Sequence, residues 1–128
     1  MNRNDLRDFC LAQTGAVEEF PFGPDAAVFK VMGKMFALIP VSADPLSISL
    51  KCDPVEAVML REMYDAVNPG YHMNKKHWNT VTVDGEIPDE RIHEMIEDSY
   101  TLVRKKLKKG ERQKLADIEQ NETPSTDS

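Results

Sequence analysis

The stretch that decides the fold is Val28-Phe29-Lys30-Val31-Met32-Gly33-Lys34-Met35-Phe36-Ala37-Leu38. Its two arms are rich in apolar, β-branched and aromatic residues, which favour strands. Gly33-Lys34 between the arms has the length and chemistry of a tight turn. We therefore predict a β-hairpin whose strands run from Ala27 to Met32 and from Met35 to Pro40.

Two further strands are predicted outward from this hairpin. Residues 46–51 alternate apolar and polar side chains, as do residues 78–83, which end at Asp84-Gly85. Such alternation is typical of a strand with one face on a core. The connections between the first three strands are too short for crossover helices, so the sheet is predicted to be antiparallel.

Three helices are predicted around these strands. The first begins after Asn4 as its N-cap and stops at Gly15, and the second begins at Asp53-Pro54, where the aspartate caps and the proline suits the first turn. The last begins near Pro88 and carries a regular apolar stripe. Residues 18–25 between the first helix and the hairpin are predicted to be an ordered loop. The predicted fold class is α+β, an antiparallel sheet packed by N- and C-terminal helices.

Composition indicates one globular domain. The chain has 128 residues, of which 41% are hydrophobic and 30% charged, and its net charge is −6. No apolar run approaches the roughly 20 residues that span a bilayer, so we expect a cytoplasmic protein with no membrane partner. We predict a domain over residues 1–110, followed over residues 111–128 by a polar acidic tail that is partly disordered.

Three segments together resemble the MmcQ/YjbR family. They are the hairpin stretch quoted above, Ser49-Leu50-Lys51-Cys52-Asp53-Pro54, and Pro69-Gly70-Tyr71-His72-Met73-Asn74-Lys75-Lys76-His77-Trp78-Asn79-Thr80-Val81, of which the last is the most specific. The resemblance implies a fold similar to that of CyaY, the bacterial frataxin, with the first and last helices backing the sheet. It also implies DNA binding, a function assigned to the family mainly by analogy of fold.

The run Lys75-Lys76-His77-Trp78-Asn79 within that segment is the first candidate site for nucleic acid. The lysines would contact phosphates, the indole of Trp78 could stack on a base, and Asn79 could bond to a base edge. The competing interpretation is structural, because a lone tryptophan at the start of an alternating strand is more often a packing residue.

A second basic patch lies at the end of the last helix. It contains Arg104, Lys105 and Lys108, which could widen a footprint on a polyanion. The helix dipole alone also favours cations there, by about 0.3–1 kcal/mol. The patch is therefore compatible with both a binding and a purely structural role.

Signatures of other functions are lacking in the sequence. It contains no recognisable catalytic motif, and its three histidines and two cysteines, Cys10 and Cys52, show no metal-ligand spacing. We therefore expect no catalytic activity, cofactor or metal, and consider iron binding improbable. Our hypothesis is a DNA-binding module, a monomer or weak dimer.

Two alternatives remain open. One is a small-anion or small-ligand pocket around Lys51, Tyr71, His72 and Trp78. Deep burial of Trp78 beside a concave site would favour this pocket, whereas a flat, exposed basic face would favour nucleic acid. The other is a protein-interaction domain that uses the open sheet face or an edge strand.

Overall fold

The computed structural model describes residues 1–71 and 73–122, and within these ranges the chain forms four helices and six strands. The helices are α1 (Arg3–Leu11), α2 (Pro54–Met63), α3 (Asp89–Lys105) and α4 (Lys109–Glu122). The strands are β1 (Ala16–Glu19), β2 (Ala26–Val31), β3 (Lys34–Pro40), β4 (Ser47–Lys51), β5 (Val67–Pro69) and β6 (Trp78–Thr82).

The strands form one sheet in the order β1-β2-β3-β4-β6-β5, and every neighbouring pair is antiparallel. The predicted α+β class and the central hairpin are confirmed. The turn itself falls one residue earlier than predicted, on Met32-Gly33, where both residues have positive φ, and Lys34 already pairs with Val31. Positive φ at both central residues matches the right-handed twist of the flanking strands.

The two faces of the sheet differ in their covering. Phe29, Ala37 and Leu50 share a register row on the face against which α1 and α3 pack, and all three are buried. α3 contributes a stripe of buried residues to this core: Ile92, Met95, Ile96, Ser99, Tyr100 and Val103. The opposite face, called here the open face, carries the row Val28, Leu38, Ser49 and Thr80. The core therefore lies on the helical side of the sheet.

The starts of α1 and α2 follow local capping chemistry. Asp53 caps α2 as predicted, accepting hydrogen bonds from the backbone of Val55 and Glu56. The prediction that Asn4 caps α1 is wrong: Asn2 is the N-cap, and it forms a reciprocal capping box with Asp5. The box satisfies two otherwise unpaired backbone donors, which explains the earlier start.

Two strands, β1 and β5, were not predicted from the sequence. Residues 18–25 do not form a continuous loop, because Ala16–Glu19 pairs with β2 as an edge strand. Val67–Pro69 pairs with β6 at the other edge, where Pro69 costs no sheet hydrogen bond that the fold needs. Both strands are too short to show a clear alternation, so their pairing partners decide their conformation.

The segment after residue 110 is helical through α4 and packs on the domain. Leu115 is fully buried, and Glu119 pairs with Arg104 at 2.8 Å and accepts a hydrogen bond from Thr14. The proposed division at residue 110 stays a prediction, and residues 123–128 lie outside the described ranges. In the described part of the chain, no helix has the length and apolar character needed to cross a membrane.

Candidate ligand-binding cavity on the open face

A cavity of about 610 Å³ lies on the open face of the sheet. We call it the open-face cavity. Its wall is mainly apolar and is built by two strands of the hairpin, the β1–β2 connection, and the loop from residue 70 to 77. The lining residues are Phe22, Ala26, Met35, Leu38, Pro40, Tyr71, Met73, Asn74 and Trp78. Its size falls within the range of small-molecule sites, about 300–1,000 Å³.

Trp78 is the anchor of this cavity. It begins β6 opposite Lys51, and only 8% of its surface is exposed. Gly70 lies directly against it, since a Cβ atom added there would be 2.7 Å from the Trp78 Cβ. The Gly70 backbone N–H donates to the Trp78 carbonyl at 2.8 Å. Gly70 therefore packs closely against the Cβ atom and the backbone of Trp78.

Arg61 on α2 fixes the 70–77 loop from the helical side of the sheet. Its Nε donates to Asn79 Oδ1 at 2.6 Å, and its terminal nitrogen donates to the carbonyl oxygens of Lys75 and Trp78. Asn79 is itself buried and donates to the Ala57 carbonyl. A guanidinium can make several such bonds in fixed geometry. Arg61 is therefore a positioning residue for the loop.

Two aromatic side chains at the rim are largely exposed. Phe22 is 71% exposed and Tyr71 is 72% exposed, although both line the cavity. The backbone N–H of Tyr71 donates to Thr80 Oγ1 at 3.0 Å, so its position is tied to the open face. Aromatic side chains next to an apolar cavity provide contact area for a flat apolar ligand.

The cluster predicted to bind nucleic acid is divided between exposed and buried positions. Lys76 is exposed and His77 half-buried, whereas Trp78 and Asn79 are buried within the domain. The Lys75 ammonium donates to the Gly70 carbonyl at 3.0 Å. Two of the five residues thus serve packing in this structure, and the DNA-binding role of the cluster stays a prediction.

The second predicted patch is also divided. Arg104 donates two hydrogen bonds to the Glu119 carboxylate, at 2.8 and 2.9 Å, and lies over the ring of Tyr100. These hydrogen bonds lower the pKa of Glu119 to about 2, with Thr14 as the second cause. Lys105 and Lys108 are exposed. Arg104 is therefore occupied by α4, and its DNA-binding role also stays a prediction.

Asn79 and Lys105 come together at a smaller cavity of about 240 Å³ on the helical side. Asp53, Glu56 and Asp98 line this cavity too, and their carboxylates disfavour an anionic ligand. Cys52 lies in the same wall, where burial, followed by Glu56, raises the pKa of its thiol to about 11. Little thiolate is present at neutral pH, so Cys52 is a poor nucleophile.

A cavity of about 650 Å³ lies between α1 and the β1–β2 connection. Its cations are already engaged: Arg7 pairs with Glu18 at 2.9 Å, and Arg3 donates to the Val41 carbonyl. The hydrogen bond with Glu18 is the main reason that the pKa of Arg7 is raised. The open-face cavity is therefore the better candidate, because exposed aromatic rings lie at its rim.

The pocket considered from sequence is partly assembled. Tyr71 and Trp78 line the open-face cavity, whereas Lys51 lies in the walls of two other cavities and His72 lies outside the described residues. Across residues 1–71 and 73–122, no three histidine, cysteine or acidic side chains are grouped to hold a metal ion. His93 stacks on Phe9, with ring centroids 3.9 Å apart.

Several cavity residues were missed by sequence reasoning. Phe22, Met35 and Leu38 come from distant parts of the chain and share no motif. The sequence did contain one signal for this cavity. Val28 and Leu38 are apolar residues on the open face of the hairpin, where a solvent-exposed strand face would carry polar ones.

Comparisons with known proteins place the chain among a group of small relatives. The model of the YjbR family matches residues 11–102. The uncharacterized protein YbdF of Escherichia coli O157:H7 is 38% identical to this chain, over 75% of this chain and 79% of its own length. The uncharacterized protein YjbR of Escherichia coli strain K12 is 34% identical, over 78% of this chain and 85% of its own length.

Solved structures share the fold. The crystal structure of Deinococcus radiodurans protein DR2400, of domain family DUF419, matches with a TM-score of 0.82 and 44% identity, covering 88% of this chain and 86% of that one. A crystal structure of a Pseudomonas syringae protein matches with a TM-score of 0.70 and 33% identity, covering 80% of this chain and 98% of that one.

Proposed function

The chain belongs to the YjbR family, and from the geometry of its open face we propose that it binds a small apolar or aromatic molecule in the open-face cavity. The observation that carries the proposal is the burial of Trp78 beside a concave, apolar site whose rim presents two exposed aromatic rings. A buried indole beside a cavity is the arrangement that favours a pocket over a flat polyanion-binding face.

The physical case rests on exposed apolar surface. Phe22 and Tyr71 each leave more than two-thirds of their surface in contact with solvent, next to Leu38 and Met35. A ligand that covered these groups would remove apolar area from water, at about 25 cal/mol per Å². Asn74 supplies a polar group at the wall, which could orient a ligand by one hydrogen bond.

The test uses the only tryptophan of the chain as its reporter. The neutral dye N-phenylnaphthylamine should quench Trp78 emission in a saturable way through energy transfer, since a dye in the cavity would lie against the indole. The variant Leu38→Glu places a carboxylate in the cavity wall and should abolish saturable quenching. Quenching that is linear in dye concentration would contradict the proposal.

A matched control separates the cavity from general surface effects. Val55 is 71% exposed on α2, on the helical side of the sheet. Val55→Glu introduces the same charge and should leave the dye titration unchanged. Equal loss in both variants would mean that the dye responds to overall charge or stability rather than to the cavity.

DNA binding is a second candidate, favoured by the exposure of Lys76, Lys105 and Lys108. None of these three lysines forms a salt bridge with another described residue, so each is available to a phosphate. Anisotropy titration of labelled duplex DNA at several salt concentrations tests it, and Lys76→Ala should reduce the salt slope by about one. Absence of binding at low salt would remove this candidate.

A further inference from the structure

Three lysines from separate parts of the chain meet at one end of the sheet. Lys34 begins β3, Lys51 ends β4, and Lys106 caps the C-terminus of α3. All three line a cavity of about 350 Å³ together with Met35 and Val103, and we call it the lysine cavity. Residues this far apart in sequence are brought together only by the fold.

No carboxylate of the described part of the chain forms a salt bridge with these lysines, although Lys51 also lines the smaller cavity that contains Asp53, Glu56 and Asp98. Among the described residues, the wall of the lysine cavity itself contains no acidic side chain. The protein as a whole carries 22 acidic and 16 basic residues. The charged residues of this cavity are therefore all basic, in a protein whose net charge is negative.

The other two lysines repel the charge of the Lys51 ammonium group. Partial burial lowers the pKa of Lys51, and the charges of Lys106 and Lys34 lower it further. An anion placed between the three groups would reverse this repulsion and satisfy donors that hydrogen-bond to no other described residue. Hydrogen bonds between charged groups are about twice as strong as neutral ones.

The helix dipole does not account for the cluster. The C-terminus of α3 attracts cations and explains Lys106, but Lys34 and Lys51 belong to strands. The same dipole disfavours an anion, with roughly half a unit of negative charge. Three full positive charges outweigh it.

We propose that the lysine cavity is a binding site for the phosphate group of a small molecule, held by Lys34, Lys51 and Lys106. A phosphate oxygen has the charge and acceptor capacity to meet several ammonium donors at once. The cavity volume of about 350 Å³ accommodates a group of this size, and Val103 and Met35 supply the apolar part of its lining. The proposal does not rest on ligand binding in the open-face cavity, although Met35 lines both cavities.

The experiment is a calorimetric titration of the full chain with inorganic pyrophosphate at constant ionic strength. We expect saturable binding that Lys51→Met weakens about tenfold, since methionine keeps the apolar stem and removes one charge–phosphate contact. The control is Lys114→Met, which removes an equal charge from an exposed position on α4. It should leave the affinity unchanged.

Three outcomes would overturn the proposal. The first is no heat of binding with the unaltered protein, and the second is equal weakening in Lys51→Met and Lys114→Met, which would indicate a general charge effect. The third is binding of duplex DNA that depends on Lys51 without any binding of pyrophosphate. That result would assign the lysines to a nucleic-acid backbone instead of a small molecule. A circular-dichroism spectrum of each variant confirms that it is folded.

Discussion

Replacing Leu115 with alanine should lower the free energy of unfolding by about 3 kcal/mol. Leu115 is fully buried, and it contacts Gly15, where an added Cβ would be 2.6 Å from the Leu115 Cδ2. Truncation of buried leucines to alanine costs about 2–5 kcal/mol, depending on how far the site can collapse. Glu119 is tied to Thr14 and Arg104, so α4 cannot move far inward, and we expect a value near the middle of this range.

Urea unfolding followed by Trp78 fluorescence measures this change. With a slope of about 2 kcal/mol per molar urea for a chain of this size, the midpoint should fall by about 1.5 M. Lys114→Ala on the same helix is exposed and should change stability by no more than about 0.5 kcal/mol. Equal midpoints for the two variants would refute the reasoning that α4 is part of the folded unit.

This prediction bears on any binding assay that shortens the chain. Deleting residues 111–128 removes Leu115 and the carboxylate of Glu119 together with the acidic charge. A change in affinity after such a deletion would therefore combine lost charge with lost stability. A shortened chain that ends after residue 122 keeps α4 and loses only Asp127 of the five acidic residues, so its affinity should match that of the full chain.

Three further perturbations test the contacts around the core and the cavity. Glu119→Gln should lower the free energy of unfolding by about 1 kcal/mol at pH 7, a value reduced for the partial exposure of the pair. Because Arg104 lowers the pKa of Glu119 to about 2, this contribution is complete above about pH 4.5 and is lost as the pH falls towards 2. The urea midpoints of the two proteins should therefore converge in acid. Arg61→Met should lower the free energy of unfolding by about 1–3 kcal/mol, because it leaves buried Asn79 without this donor. Acrylamide should then quench Trp78 fluorescence more strongly. Unchanged quenching would mean that Arg61 does not hold the loop. Gly70→Ala should lower the free energy of unfolding by about 1–3 kcal/mol, because the added methyl group overpacks against Trp78. An unchanged melting temperature would contradict the close approach of Gly70 to Trp78.

The sequence pattern predicted the elements whose own residues determine their structure. The hairpin could be predicted because β2 and β3 are rich in strand-forming residues and because the turn contains a glycine, and α2 because Asp53-Pro54 is a strong helix start. β1 and β5 have four and three residues and depend on hydrogen bonds from β2 and β6. Their conformation is a tertiary effect that a local pattern does not contain.

The same distinction between local pattern and long-range contacts applies to the candidate sites. Trp78 could be singled out from sequence as a rare residue in a distinctive segment, but its packing depends on Gly70 and on Arg61 of α2. Arg104 was assigned to a basic patch because it belongs to a run of bases at the end of the last helix. Its partner Glu119 lies 15 residues further along, in a segment with a polar composition that gives no sign of the pairing. Long-range partners decide whether a charge is available to a ligand, and one sequence does not show them.

A single irregularity in the sheet relates the two proposed sites. Between β2 and β3 the register shifts, so that Phe29 pairs with Ala37 but Lys30 pairs with Met35, and Phe36 is the extra residue of a β-bulge. Phe36 is fully buried and packs edge-on against Tyr100 of α3. Because the bulge gives Phe36 to the core, Met35 is placed so that it lines both the open-face cavity and the lysine cavity. The two sites therefore share one flexible side chain. Met35→Ala should alter both dye binding and pyrophosphate binding, whereas Leu38→Glu should alter dye binding alone. Pyrophosphate binding unaffected by Met35→Ala would mean that the two cavities are independent.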